Sequence, residues 1–161
     1  PLYNSATTAT ANTLALRDGS GDIYAVTFRG KATSAQYADL AENYLADADY
    51  APGTVVVFGG EKEITVTTVS HDTRVAGVIS TNPAYLMNDH VEGLPVAFTG
   101  RVPTKVQGPV KKGDVLVTST VAGVAQRINH SQYQPGCVLG KALWEINTDT
   151  IETIEVVVGR F

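Results

Sequence analysis

The sequence contains one cysteine, one tryptophan and one methionine in 161 residues, and only 17% of its residues are charged. Each scarcity removes a class of explanation. Cys137 stands in the apolar run Cys137-Val138-Leu139 and has no partner for an intramolecular disulfide, so it is expected to be a buried thiol without redox work. The 12 lysines and arginines are scattered and the net charge is −4. No positive stripe exists for a phosphate backbone, and nucleic acid is not an expected partner. No apolar run approaches the roughly 18 residues of a membrane span, and no basic segment leads an apolar one at the start of the sequence, so membrane insertion is not expected. Of the 3 histidines, His90 and His130 sit in polar loops without ligand partners at metal-binding spacing. No metal is expected within one chain; one histidine per subunit on a threefold axis is the arrangement left open. Gly59-Gly60 follows a strand-like run but no helix comes after it, so there is no phosphate loop and no cofactor is expected. The shortage of charge itself points to a surface partly covered by other subunits. The chain begins Pro-Leu-Tyr, from which a fragment or processed piece of a longer protein is expected.

What the sequence has in quantity is β-branched residues punctuated by glycine and proline. From Pro52 onward, apolar runs alternate with turns: Val55-Val56-Val57-Phe58, Ile64 to Val69, Val75 to Ile79, Pro95 to Phe98, Val115 to Thr118, Gly123 to Ala125, Cys137 to Ile146 and Ile151 to Val158. Their composition and spacing predict a compact β-barrel or sandwich over 51–161. An internal echo points to duplication. Pro52-Gly53-Thr54-Val55-Val56-Val57 with Arg74-Val75-Ala76-Gly77-Val78-Ile79 parallels Lys112-Gly113-Asp114-Val115-Leu116-Val117 with Gly136-Cys137-Val138-Leu139-Gly140-Lys141. In each copy a glycine-led turn opens an apolar strand and a second strand carries a glycine where backbones approach closely.

Residues 1–50 read differently, as an arm. Thr13 to Leu16 and Ile23 to Phe28 alternate like short strands, and Arg17-Asp18-Gly19-Ser20-Gly21-Asp22 between them is a turn signal. Over 34–48, Tyr37, Leu40, Ala41, Tyr44, Leu45 and Ala48 fall at helical spacing, with Ser34 as cap and Pro52-Gly53 as terminator, which predicts a helix near 35–48. The arm has too little apolar bulk for a core of its own. It is expected to trimerise, with Tyr37, Leu40 and Tyr44 at the interface.

Two groupings could carry chemistry. Ser70-His71-Asp72 holds the residue types of a nucleophilic triad, but adjacent residues do not converge as a triad must, and the trio reads as a hairpin tip. Asp39 and Glu42, three residues apart, would share one side of the predicted helix, where neighbouring carboxylates split acid and base roles. A solvated helix flank is the plain alternative.

Gly21-Asp22-Ile23-Tyr24-Ala25, the run from Gly30 to Glu42, Tyr50 to Val56 and Val75 to Tyr85 together resemble the C-terminal parts of tail-fibre and structural proteins of T4-like phages, especially those of marine and cyanobacterial hosts. Asp39-Leu40-Ala41-Glu42 followed by Gly77-Val78-Ile79-Ser80-Thr81-Asn82-Pro83 also resembles, more distantly, the autoproteolytic intramolecular chaperone domains of phage preneck-appendage proteins. That second resemblance implies cleavage of Ala38–Asp39 with Glu42 as the acid/base residue. This sequence departs from it in having alanine rather than serine before the aspartate and a shorter loop after Pro83.

Three readings follow from the resemblance. The chain is a homotrimeric structural part of a virion appendage, assembled in the host cytoplasm and joined to the rest of a parent fibre. Alternatively, it is a chaperone that cuts itself once. As a third reading, it is a tip module that meets a host-surface receptor through loops 85–93 or 129–134.

Overall fold

The computed structural model describes residues 5–6, 14–25, 27, 34 and 38–159. The chain forms two compact units, 1–34 and 35–161, so the division comes after Ser34 and not near residue 50. In the first unit, β1 (Ser5–Ala6) pairs in parallel with β2 (Leu14–Ala15). Of the two short strands expected over 13–16 and 23–28, Leu14–Ala15 is formed, while 22–25 have no regular structure. The turn between them does form. Asp18 Oδ1 accepts the backbone N–H groups of Ser20 and Asp22 at 2.8 and 2.9 Å, and Gly21 takes φ +90°.

The second unit is built of strands. They are β3 (Asp39–Tyr44), β4 (Val55–Phe58), β5 (Ile64–Thr65), β6 (Val75–Ile79), β7 (Tyr85–Met87), β8 (Leu94–Gln107), β9 (Val115–Thr118), β10 (Ala125–Arg127), β11 (Val138–Ala142) and β12 (Ile151–Val158). A single 3-10 turn, His130–Gln132, is the one helical element among the described residues. The fold is therefore mainly β, as the sequence predicts.

The helix expected over 35–48 is not formed: Asp39–Tyr44 is a strand, antiparallel to β8 and parallel to β7. Tertiary pairing overrides the helical spacing. Six backbone positions of β3 find partners on β8 from Tyr44↔Leu94 to Asp39↔Gly100, an arrangement that a lone short helix, marginal by itself, could not match. Tyr37 lies outside the described residues.

The duplication is present and more extensive than the echo. β8, β12, β11, β9 and β10 close on themselves through the β10–β8 pairing as a five-stranded barrel. β3, the first half of β8, β6, β4 and β5 make the same circuit, closed by the parallel bridge Ala46↔Ile64. A shift of 60 residues maps one onto the other over the strands that flank the loops, Gly53 onto Gly113, Val96 onto Val156 and Ala46 onto Val106. β6 maps onto β11 with a shift of 63, Gly77 onto Gly140. The hydrogen bonds correspond too. The Gly53 N–H donates to Ile79 O at 2.8 Å and the Gly113 N–H to Ala142 O at 2.7 Å, while the Ile79 N–H donates to Thr54 O and the Ala142 N–H to Asp114 O. A Cβ on Gly77 would meet Ala97 O at 2.1 Å, and one on Gly140 would meet Val157 O at 2.2 Å. Both glycines are there because the next strand passes too close for any side chain.

The two barrels do not have equal surroundings. Val55, Val75 and Val78 are buried in the same core cluster as Val102, Leu116 and Val156 of the second barrel. Their counterparts Val115 and Val138 are only half-buried, and Lys141 is exposed. The outer face of the first barrel is thus buried more deeply than the matching face of the second, where Val115 and Val138 pack against Val117, Ile128 and Cys137.

Candidate functional site

Strand geometry decides what Asp39 and Glu42 can do. Side chains alternate along β3, so Asp39, Ala41 and Asn43 are buried on one face while Leu40, Glu42 and Tyr44 share the other. The helix-face argument for pairing the two carboxylates does not survive: they take different partners and line different hollows. Leu40 and Tyr44, expected at a subunit interface, do share a face. Leu40 is exposed, and Tyr44 is half-buried with its hydroxyl donated to Glu42.

Asp39 is buried, and the Ser80 hydroxyl donates to its Oδ2 at 2.6 Å. Ser80 and Asn82 of the Ser80-Thr81-Asn82-Pro83 segment line the same hollow of about 370 Å³ as Ala38, Asp39, Arg101 and Glu155. The carbonyl of Ala38 accepts the backbone N–H of Arg101 at 3.2 Å. β3 can approach β8 this closely because residue 100 is a glycine: a Cβ there would meet Ala38 O at 2.2 Å.

Glu42 faces a second hollow, a groove of about 320 Å³ walled by Tyr44, Phe58 and Phe98 and by Val75, Val96 and Val158. Its Oε2 accepts the Tyr44 hydroxyl at 2.7 Å and its Oε1 accepts Asn88 Nδ2 at 2.5 Å. Burial and then the Glu42 hydrogen bond push the Tyr44 phenol up to about 12, with the charges of Glu42 and Glu63 adding to the effect. The Tyr44 and Phe58 rings meet edge to face, centroids 5.5 Å apart. Phe98 is the extra residue where β8 bulges against Leu40/Ala41.

The Ser70-His71-Asp72 trio is a structural knot. Nε2 of the buried His71 accepts the Asn129 N–H at 3.0 Å, so the neutral ring carries its proton on Nδ1 and donates it to Ser70 Oγ at 2.6 Å. A histidine that donates to the serine is not its base. Gln126 Nε2 donates to the same hydroxyl at 2.9 Å. Asp72 is held by Arg74, through Nε at 3.0 Å and Nη2 at 2.7 Å, and accepts Thr67 Oγ1 at 2.9 Å. The guanidinium beside it is the main reason its carboxyl is lowered to about 2. Cys137 is buried, as expected. Among the described residues no group of three His, Cys, Asp or Glu side chains is placed to hold a metal ion, and no helix is long and apolar enough to cross a membrane.

Sequence reasoning quoted Ser80 within a motif without giving it a role, and missed Arg101 and Glu155 at the first hollow and Phe58, Phe98 and Asn88 at the second. The repeat held a usable signal. Glu42 corresponds to Val102, Ser80 to Leu143 and Phe58 to Thr118, so the polar or exposed member appears where its copy is apolar or buried. The chain matches no family model and no curated protein.

Proposed function

We propose that the chain is an assembly and capping module of a bacteriophage tail fibre or related virion appendage and works as a homotrimer. The observation that carries this reading is the arm. Leu14, Leu16, Ile23 and Tyr24 are 53, 45, 56 and 59% exposed, and a 34-residue unit of short strands cannot cover them itself. Identical arms around a threefold axis would cover them, which fits the low charge and the resemblance to fibre C-termini. Light scattering at micromolar concentration tests this. A trimer is expected, with dissociation when Leu14 and Leu16 are both replaced by serine; a monomeric wild type would end the proposal.

Self-cleavage at Ala38–Asp39 is a second reading, favoured by one arrangement. The carbonyl that water would attack accepts a backbone N–H, which polarises it, beside a buried carboxylate held by Ser80. Hydrolysis would add water's hydroxyl to the Ala38 carbonyl carbon and a proton to the Asp39 nitrogen. Glu155 lines that hollow, and Glu42, to which the resemblance gives the acid/base role, lines the other. Intact mass of a chain carrying more residues ahead of Ala38 is the test. Two pieces are expected from the wild type and one from Asp39→Asn, whereas an uncut wild type removes this reading and leaves the trimer untouched.

A further inference from the structure

We propose that the groove beside Glu42 binds a basic side chain of a partner polypeptide, with its alkyl stem between Phe58 and Phe98 and its cationic head at the Glu42 carboxylate. The inference does not depend on the trimer or on self-cleavage.

The second barrel supplies the control. At the position of Glu42 it has Val102, and at that of Phe98 it has Val158, both buried. In the second barrel these two positions are thus filled by small apolar side chains, and Val158 itself stands in the wall of the same groove. In the first barrel the same positions carry a carboxylate and a large ring 36% exposed, and both face a groove of about 320 Å³ whose walls come from both barrels, Val75 and Val96 of the first and Leu139 and Val158 of the second. Phe58, 39% exposed, replaces the buried Thr118 on the opposite wall. An acid placed against apolar walls costs desolvation and makes no sense for packing alone.

The chemistry of the walls selects the ligand. A carboxylate oxygen has about two lone-pair sites, and each oxygen of Glu42 has one described donor, Tyr44 for Oε2 and Asn88 for Oε1. One site per oxygen is left for a forked or ammonium donor from outside, and the Tyr44 and Asn88 bonds hold the carboxylate in place for it. Anions are repelled, since Glu63 adds negative potential at Tyr44. Three aromatic rings suit a cation on an aliphatic stem, through packing along the stem and attraction of the head to the ring faces. Arginine fits better than lysine because its planar fork meets both oxygens. The groove is a trough with an open side, which admits a side chain carried on a backbone.

The test is NMR titration of the whole chain with the blocked tripeptide Ac-Val-Arg-Val-amide, and with the same peptide carrying citrulline, which keeps the shape and loses the charge. Saturable shifts at the Phe58, Phe98 and Tyr44 resonances are expected with the arginine peptide, with a dissociation constant on the order of 1 mM for so small a ligand. Citrulline should bind about tenfold more weakly, as should the arginine peptide to Glu42→Gln. Phe58→Leu keeps bulk without an aromatic face and should lose about threefold. Equal binding of the two peptides, an unchanged Glu42→Gln, or no saturable shift by about 50 mM would each overturn the proposal.

Discussion

The two barrels of the second unit share a backbone plan and differ in what they do with it. Where the copies agree, at Gly53 and Gly113 or Gly77 and Gly140, the residue serves the fold. Disagreement marks positions that the fold leaves free. The second barrel buries Val102, Leu116 and Val156, as a small barrel filled by side chains should, and its Val158, also buried, forms part of the groove wall. At matching positions the first has Glu42 and Phe98 facing a groove, and at its edge it has Asp39 and Ser80 hydrogen-bonded beside the Ala38 carbonyl. Duplication separates the demands of packing from those of function without any other sequence for comparison.

The largest expected effect tests the agreement. Gly77→Ala and Gly140→Ala would each force a Cβ into a strand carbonyl, 2.1 Å from Ala97 O and 2.2 Å from Val157 O. Each should cost more than about 3 kcal/mol in chemical denaturation, and by similar amounts. A tolerated substitution in one copy alone would show that the barrels are not held by the same contact.

Next in size is Thr118→Val, at a position where the copies diverge. Thr118 Oγ1 donates to Val69 O at 2.9 Å and accepts the Asp72 N–H at 2.8 Å, which ties a loop of the first barrel to a strand of the second. Valine keeps the shape and leaves both backbone groups without that partner, at an expected loss of about 2 kcal/mol in urea unfolding. Phe58, its counterpart, bears no such link. A loss under about 0.5 kcal/mol for Thr118→Val would mean that the other hydrogen bonds of this loop, Asn129 to His71 and Gln126 to Ser70, hold it without the hydroxyl.

A smaller effect concerns acid. Asp72 has its carboxyl lowered from 3.8 to about 2, chiefly by the Arg74 hydrogen bond. In the other barrel its place is taken by Pro135. Because the folded value lies below the unfolded one, the contribution is complete above about pH 4 and disappears as pH falls through about 2. The guanidinium is 55% exposed, so solvent screening reduces the expected contribution to on the order of 1 kcal/mol. Denaturation at pH 5 and pH 2 should show Arg74→Ala losing less stability on acidification than the wild type. Equal losses would shift the acid sensitivity to other carboxylates.

Much of this fold was legible before any coordinates. Glycine-led turns and β-branched runs placed most of the strands from Val55 onward, though not β7 or the second half of β8, and the echo showed the repeat because its glycines are steric necessities. β3 was not legible by periodicity. Its buried face is Asp39, Ala41 and Asn43, polar or small, so no apolar alternation announced a strand, while Tyr37, Leu40 and Tyr44 imitated a helix. Carrying the 60-residue shift through would have set 39–44 against 99–104, Thr-Gly-Arg-Val-Pro-Thr, which no helix would accept. The candidate sites were legible in part. Asp39, Glu42 and Ser80 stood in the quoted motifs, but which groups meet depends on a strand pairing between residues 40 positions or more apart.

The smallest expected effect is the most discriminating. If Asp39 and Ser80 exist for function, replacing both with apolar residues of similar size should cost the fold almost nothing. Single changes would mislead: Ser80→Ala alone removes the hydroxyl that donates to a buried carboxylate, and Asp39→Val alone leaves that hydroxyl unpaired. The double variant Asp39→Val, Ser80→Ala removes both polar groups together, and exchange of a buried polar pair for apolar groups is often neutral or stabilising. Its unfolding free energy should lie within about 1 kcal/mol of the wild type, with any cleavage before residue 39 abolished. A loss of about 3 kcal/mol or more would make the pair a structural joint of the first barrel. The divergence of the two copies would then reflect different packing surroundings, and the Ala38 hollow would lose its claim to be a site.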